Sequence, residues 1–344
     1  MAKILTCLLS IAYGLLAWEM AEVQRVRLAY RFARGQTTRY QLTVLGVGCL
    51  TLSGATASGE PLIVPFDMQV QGTFRRRVLK VAANGRAEVE TQLETLALKA
   101  TGAGQQVEAE MSPGSFRATL NGQKWVPSPP TFPPSGEKSE TAFDPQRLLQ
   151  PVRQQVTPTG KTTSSSPKLE VSWESLAPAI APLLRLGQQL QRFWPQFPQR
   201  EVKPGETWEQ PFRLPLPGPA AEIATSTLQY TFAGLTAWEG ETCAQVRLQG
   251  VLNLPPFLLP LRPVPRPPKG PRSLRAEQLK VRLHGTVYFV PGRGQWWGQD
   301  LTADLYLRAT TSSSTEPESP PLKLELEGEV RVLIKPISSS AQVP

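Results

Sequence analysis

Residues 322–335 read LKLELEGEVRVLIK, and the alternation in this stretch decides the fold. Leu322, Leu324, Leu326, Gly328, Val330, Val332 and Ile334 fall on one face, and Lys323, Glu325, Glu327, Glu329, Arg331 and Lys335 on the other. A period of two over this many residues is the signature of one long strand with a dry side and a wet side. At ~3.3 Å per residue it runs on the order of 45 Å, which suits a large, strongly curved sheet better than a small sandwich. RVRLAYRF (25–32) repeats the pattern with Val26, Leu28, Tyr30 and Phe32 inward, and LTADLYLR (301–308) with Leu301, Ala303, Leu305 and Leu307 inward.

Two further stretches share a grammar. RGQTTRYQL (34–42) and KPGETWEQPF (203–212) both place Gly, an acid or amide, and Thr ahead of strand-forming residues. Downstream, GTFRRRVLKVAANGRAEVETQL (72–93) and YTFAGLTAWEGETCAQVRLQG (230–250) both run Thr-Phe, strand, turn, strand, with the turns at Asn84-Gly85 and Glu239-Gly240. Asn-Gly is a strong hairpin signal because both residues tolerate positive φ. The expected architecture is all-β with one connecting helix: two related, strongly curved antiparallel sheets or half-barrels, the helix packed between or against them. The first β domain is set at 22–125 and the second at 201–344.

Between them, 126–200 hold a different kind of sequence. PSPPTFPP and TGKTTSSSPK are too rich in Pro, Ser and Thr to bury a core and predict a flexible or polyproline linker over 126–170. WESLAPAIAPLLRLGQQLQRFWP (173–195) then places Trp173, Leu176, Ile180, Leu183, Leu184, Leu190 and Phe193 at helical spacing, with Pro195 as the stop. A Pro-rich insertion within the second domain, 254–272, carries eight prolines and the bases Arg262, Arg266, Lys269 and Arg272; it is expected to be extended. It serves either as an exposed loop between strands or as a basic docking arm for an envelope partner.

The chain has 344 residues, a net charge of +9, and 35 prolines and 26 glycines, which predict many turns and few long helices. Lys3 precedes an apolar run from Ile4 to Trp18, about the length of a signal-peptide core and short of the ~20 residues that span a bilayer. Residues 1–21 are therefore expected to be an export signal, giving a secreted or periplasmic protein; neither Ala17 nor Ala21 has a small residue two positions before it, so cleavage and retention as an anchor both stay open. Cys49 and Cys243 would then be able to pair, or to lie apart as small buried hydrophobes. Bases such as those in FRRRVLK (74–80) lack the aromatic or Gly-rich interleaving of nucleic-acid modules and are expected to line a solvated strand face, so no nucleic acid partner is expected.

The chemistry is mostly exclusion. His284 is the only histidine, which removes any His-pair zinc site; no metal site and no cofactor is expected. GKTT (160–163) lacks the first glycine of a phosphate-binding loop, and neither GxSxG nor CxxC occurs. Glu88 with Glu90, and Asp300 with Asp304, share strand faces and are the remaining acid–base candidates, a distant alternative of a carboxylate-dependent hydrolase. No enzyme is expected. Trp296 and Trp297, with Tyr306 further along the same strand, are the candidate ligand-binding residues: adjacent indoles on a strand point to opposite faces, so one enters the core and the other is left to be covered or to meet a ligand.

KPGETW, WEGETCAQVRL and HGTVYFVPGRGQ together resemble an uncharacterised family of exported bacterial β-proteins, domains of unknown function, over roughly 25–335. More distantly, a long curved antiparallel sheet beside a helix is similar to the half-barrel of periplasmic lipoprotein carriers and related lipid-binding lipoproteins. That likeness implies a noncatalytic envelope or secreted protein holding a lipid or other amphipathic ligand. It supplies no catalytic residues, and the lipidated cysteine of those lipoproteins has no counterpart here.

Overall fold

The computed structural model describes residues 25–54, 60–124, 149–164, 194–215, 223–254, 256–260, 273–311 and 322–337. They form strands β1 (Val26–Arg27), β2 (Thr37–Ser53), β3 (Leu62–Val81), β4 (Ala87–Gly102), β5 (Gln105–Ser112), β6 (Ser115–Leu120), β7 (Gln123–Lys124), β8 (Val152–Val156) and β9 (Thr162–Ser164). The second half adds β10 (Glu201–Val202), β11 (Thr207–Pro215), β12 (Ile223–Trp238), β13 (Glu241–Leu254), β14 (Phe257–Pro260), β15 (Ser273–Val290), β16 (Gln295–Thr311) and β17 (Lys323–Pro336). No α-helix occurs among the described residues. The signal (1–21), the predicted helix up to residue 193 and most of the Pro-rich insertion lie outside them.

The two expected sheets are one. Fifteen strands pair antiparallel in the order β11-β12-β13-β15-β16-β17-β2-β3-β4-β5-β6-β7, with β14 beside β15 and the β8–β9 pair beside β4; β1 and β10 make a separate two-stranded pair. The seam is the alternating strand 322–335: β17 pairs with β2 from Lys323↔Ser53 to Pro336↔Tyr40. Left apart, β17 and β2 would each be a long edge with unmet hydrogen-bonding groups, and pairing them removes both edges. Among the described residues β11 and β7 end the sheet unpaired with each other, so it does not close into a barrel.

Both halves nevertheless begin in the same way. Gly35 and Gly205 have φ of 82° and 83°. Gln36 N donates to Ala33 O and Gly35 N to Val78 O, while Val78 N donates to Gln36 O; Glu206 N, Gly205 N and Phe232 N repeat this with Lys203 O, Phe232 O and Glu206 O. The acid or amide of the shared motif folds back in each case, Gln36 Oε1 accepting from Ala33 N and Glu206 Oε2 from Lys203 N. A β-bulge follows at the matching place, between Val78 and Lys80 and between Phe232 and Gly234. The hairpin turns differ. Glu239 (φ 44°) and Gly240 (φ 79°) form a two-residue turn with both φ positive, whereas at Asn84-Gly85 only Gly85 is positive and Asn84 instead accepts from Arg86 N.

One face of the sheet is dry. Tyr40, Leu42 and Val44 of β2, Ile334, Val332 and Val330 of β17, and Leu301 and Ala303 of β16 are buried as alternation requires. This face is concave, since Trp194 Nε1 donates to Gln154 of β8 and, two residues on, Gln196 N donates to Gln210 of β11, strands far apart in the order of the sheet. Two chain segments plug one end of the concavity. Tyr30 N donates to Pro158 O, Arg31 N to Gly294 O and Phe197 N to Thr159 O, and the Tyr30 ring packs on Trp194, Phe197 and Phe289 at 5.3–5.5 Å.

The plug corrects one expectation. Residues 149–164 are no flexible connection: Gln154 and Val156 are buried, and β8 pairs with Ala87–Thr91 of β4, because this short run alternates like any other strand. Trp194, which follows the predicted helical stripe, enters the core beside Tyr30, while the stripe itself, up to residue 193, lies outside the described residues.

At the opposite end glycines and one phenylalanine shape the concave face. Gly48 of β2 sits between Phe66 of β3 and Gly328 of β17, and the Phe66 ring lies over both glycines. A methyl group on Gly48 would meet the Glu327 carbonyl oxygen and the Phe66 ring. Gly48→Ala is expected to lower stability by about 1–3 kcal/mol, the cost of overpacking, measured by urea unfolding; an unchanged midpoint would refute this packing.

Candidate functional site

The three sequence-predicted site residues do not share a site. Trp296 is buried on the concave face. Trp297 is the extra residue of a bulge, because Phe289 pairs with Trp296 and Tyr288 with Gly298; it is half-buried, with the Arg293 guanidinium 5.6 Å from its ring. Tyr306 lies on the outer face between Lys280 and Glu327 in the strand register. The core takes the first indole, and the bulge interrupts the alternation on which the expected divergence of the pair rested.

What Trp296 meets was not foreseen. Arg76, the middle base of FRRRVLK, is only 5% exposed. Its guanidinium lies 4.2 Å from the Trp194 ring and 4.3 Å from the Trp296 ring, with Phe74 and Tyr40 at 5.6 and 5.7 Å. A solvated role holds for Arg75 and Arg77, but parity puts Arg76 on the same face as Phe74 and Val78, and that signal was present in the sequence. Burial pulls the guanidinium down to about 10, against the opposing pull of Tyr40 and Tyr30. Burial likewise raises the phenols of Tyr30, Tyr40 and Tyr230. A cavity of about 40 Å³ touches this cluster, with Thr38 and Gln295 among its lining. Gln295 donates to Thr38 Oγ1 and Tyr40 Oη to Trp296 O, which fixes the walls. The cluster is a cation-centred aromatic plug.

The carboxylate pairs belong to the outer face. Glu88 pairs with Lys80, Glu90 with Arg153 at 3.2 Å and Asp300 with Arg331 at 2.6 Å; Asp304 sits between Arg282 and Glu329 in register. Among the described residues no three His, Cys, Asp or Glu side chains converge as metal ligands. Cys49 and Cys243 are both free thiols. Burial, helped by Glu241, pushes the Cys243 thiol up to about 12.

The second feature of the concave face is its other end, which no described segment plugs. Going outward from the buried core, the inward positions are Gly48, Leu50 and Leu52 on β2, Phe66, Val64 and Leu62 on β3, Leu305, Leu307 and Ala309 on β16, and Gly328, Leu326 and Leu324 on β17. None carries a charge; Leu307 and Ala309 are buried in a small cluster with Leu324 and Leu326 against it, and the others are at least partly exposed. Leu62 and Ile63 at the lip are 46% and 61% exposed. A cleft of about 980 Å³ opens there, bounded by residues 62–65, 101–106 and Asn121. This is the arrangement that can take up an apolar body: a wall with no ionisable group, partly open to solvent.

No family model and no curated protein matches the chain. Among solved structures, a lipovitellin structure described for its lipid–protein interactions is similar over 91% of this chain at 13% identity, with a TM-score of 0.36. The match covers 27% of the lipovitellin chain, so this chain spans about a quarter of its length.

Arg76→Ala is expected to destabilise the fold by about 3–4 kcal/mol, because it removes stacking on two indoles and leaves a cavity. Arg76→Lys is expected to recover little, as an ammonium cannot stack as a plane; chemical denaturation of both variants measures this, and full recovery by Lys would contradict the stacking. Tyr30, Tyr40 and Tyr230 ionise less readily folded than unfolded, so above about pH 10 the unfolded state binds fewer protons and stability falls as pH rises. Absorbance titration at alkaline pH should show these phenols ionising only with loss of near-ultraviolet dichroism; ionisation while the dichroism persists would oppose it.

Proposed function

We propose that this chain is an exported, noncatalytic protein that holds an apolar or amphipathic ligand, an acyl lipid, against the open half of its concave sheet. One observation carries the reading. The dry face that packs the aromatic plug at one end continues, uncharged, onto partly exposed Gly48, Leu50, Leu305, Leu324, Leu326 and Gly328 at the other, beside the buried Leu307 and Ala309. Export rests on Lys3 and the apolar run Ile4–Trp18.

Magnitudes support a useful affinity. Burying eight to ten methylenes at about 0.8 kcal/mol each contributes roughly 6–8 kcal/mol, which before ordering costs corresponds to about the micromolar range. The acids of the outer face are held by Lys80, Arg153 and Arg331, which suits a supporting surface.

The test uses full-length protein, delipidated and then offered a fluorescent acyl lipid. Leu326→Glu, which places a charge on the inner wall, is expected to cut binding at least tenfold, and Val47→Glu on the outer face to leave it within twofold. Equal binding by both variants, or none by the unaltered chain, would overturn the reading.

A further inference from the structure

The aromatic plug has room for one small body, and its wall carries a positive charge. We infer that the cavity beside Arg76 and Trp296 is a binding site for a monatomic anion, chloride in ordinary solution. The site lies at the plugged end and stands independently of the acyl reading.

Three observations carry it. The Trp296 indole is buried and lines the cavity, yet its Nε1 hydrogen meets no acceptor among the described residues. A buried indole N–H ordinarily finds a partner, and an unmatched donor inside a packed core points to a bound water or ion. The Arg76 guanidinium lines the same cavity, 4.3 Å from the Trp296 ring, and brings a full charge into the core. Indole and guanidinium only donate hydrogen bonds, so their complement is an acceptor. The third observation is size. About 40 Å³ admits one body with the volume of a water molecule, about 30 Å³. Chloride is of that order, whereas an organic carboxylate with its carbon chain is too large.

Charge decides between water and an ion. A water molecule accepts from the donors but leaves the desolvated guanidinium without a balancing charge, whereas an anion in contact offsets that cost by an attraction that low polarity strengthens. Burial holds the guanidinium down to about 10, and an adjacent anion favours its charged form. The other polar wall is committed within the protein, Gln295 Nε2 donating to Thr38 Oγ1 at 2.7 Å. Arg31 also lines the cavity and is exposed, which puts the site within reach of solvent ions and adds a second positive charge.

The test follows urea unfolding of the full-length protein while chloride replaces gluconate, an anion too large for the cavity, at constant ionic strength. Raising chloride from about 10 to about 200 mM is expected to lower the unfolding equilibrium constant about fivefold, as a ligand held only by the folded state requires. An unchanged constant means that the cavity holds water only, and the inference falls. Trp296→Phe keeps an aromatic ring and removes the N–H, so it is expected to lose most of the chloride response; a full response in that variant places the ion elsewhere and overturns the site. Crystals of the unaltered protein soaked in bromide supply a readout that needs no variant. Anomalous scattering is expected to mark bromide between Arg76 and Trp296, and bromide sites confined to the surface would equally contradict the assignment.

Discussion

Pairing of the alternating strand 323–336 with residues 40–53 is the constraint on which the molecule depends. It sets a register in which every inward residue of the second half continues the inward face of the first. A slip by one would turn Val330, Val332 and Ile334 to water and bury Glu329 and Arg331. With the register fixed, similar halves become one concave wall, and the outer face is free to carry ion pairs such as Asp300–Arg331 and Arg308–Glu325.

The two ends of that wall are treated differently. At one, Tyr40, Phe74, Trp194 and Trp296 close around Arg76, a cation whose desolvation is offset in part by the faces of two indoles. At the other, glycines lower the floor and Phe66 reaches over them. A buried guanidinium is an expensive way to fill space, and its position beside Tyr40 and Trp296 ties β3 to β16 across the seam. The plug therefore fixes the curvature from which the open end inherits its shape.

Much of this was legible in the residues. Alternation gave the inward sets of 25–32, 301–308 and 322–335, and the shared Gly–acid/amide–Thr motif marked two equivalent strand starts with the same hydrogen bonds. Merger into one sheet was not legible, because alternation reports which face is dry and not which strand is the neighbour. Arg76 was legible in principle by parity with Phe74 but was outweighed by the two flanking arginines. The Asn84-Gly85 turn shows that a strong dipeptide signal does not determine loop length. The roles of Gly48, Gly328 and Phe66 depend on cross-strand register, which no single strand's sequence contains. Trp296 and Trp297 drew attention as aromatics, yet the candidate site lies among small aliphatic residues that sequence reading took for ordinary core.

The most direct measurement of where a ligand sits is photo-crosslinking of full-length protein with a fatty-acyl glyceride carrying a diazirine in its chain, followed by peptide mapping. Adducts are expected at Leu50, Phe66, Leu305 and Leu326, on the concave face. Adducts concentrated instead on Leu45, Val47 and Val251 of the outer face, or within 254–272, would contradict the account.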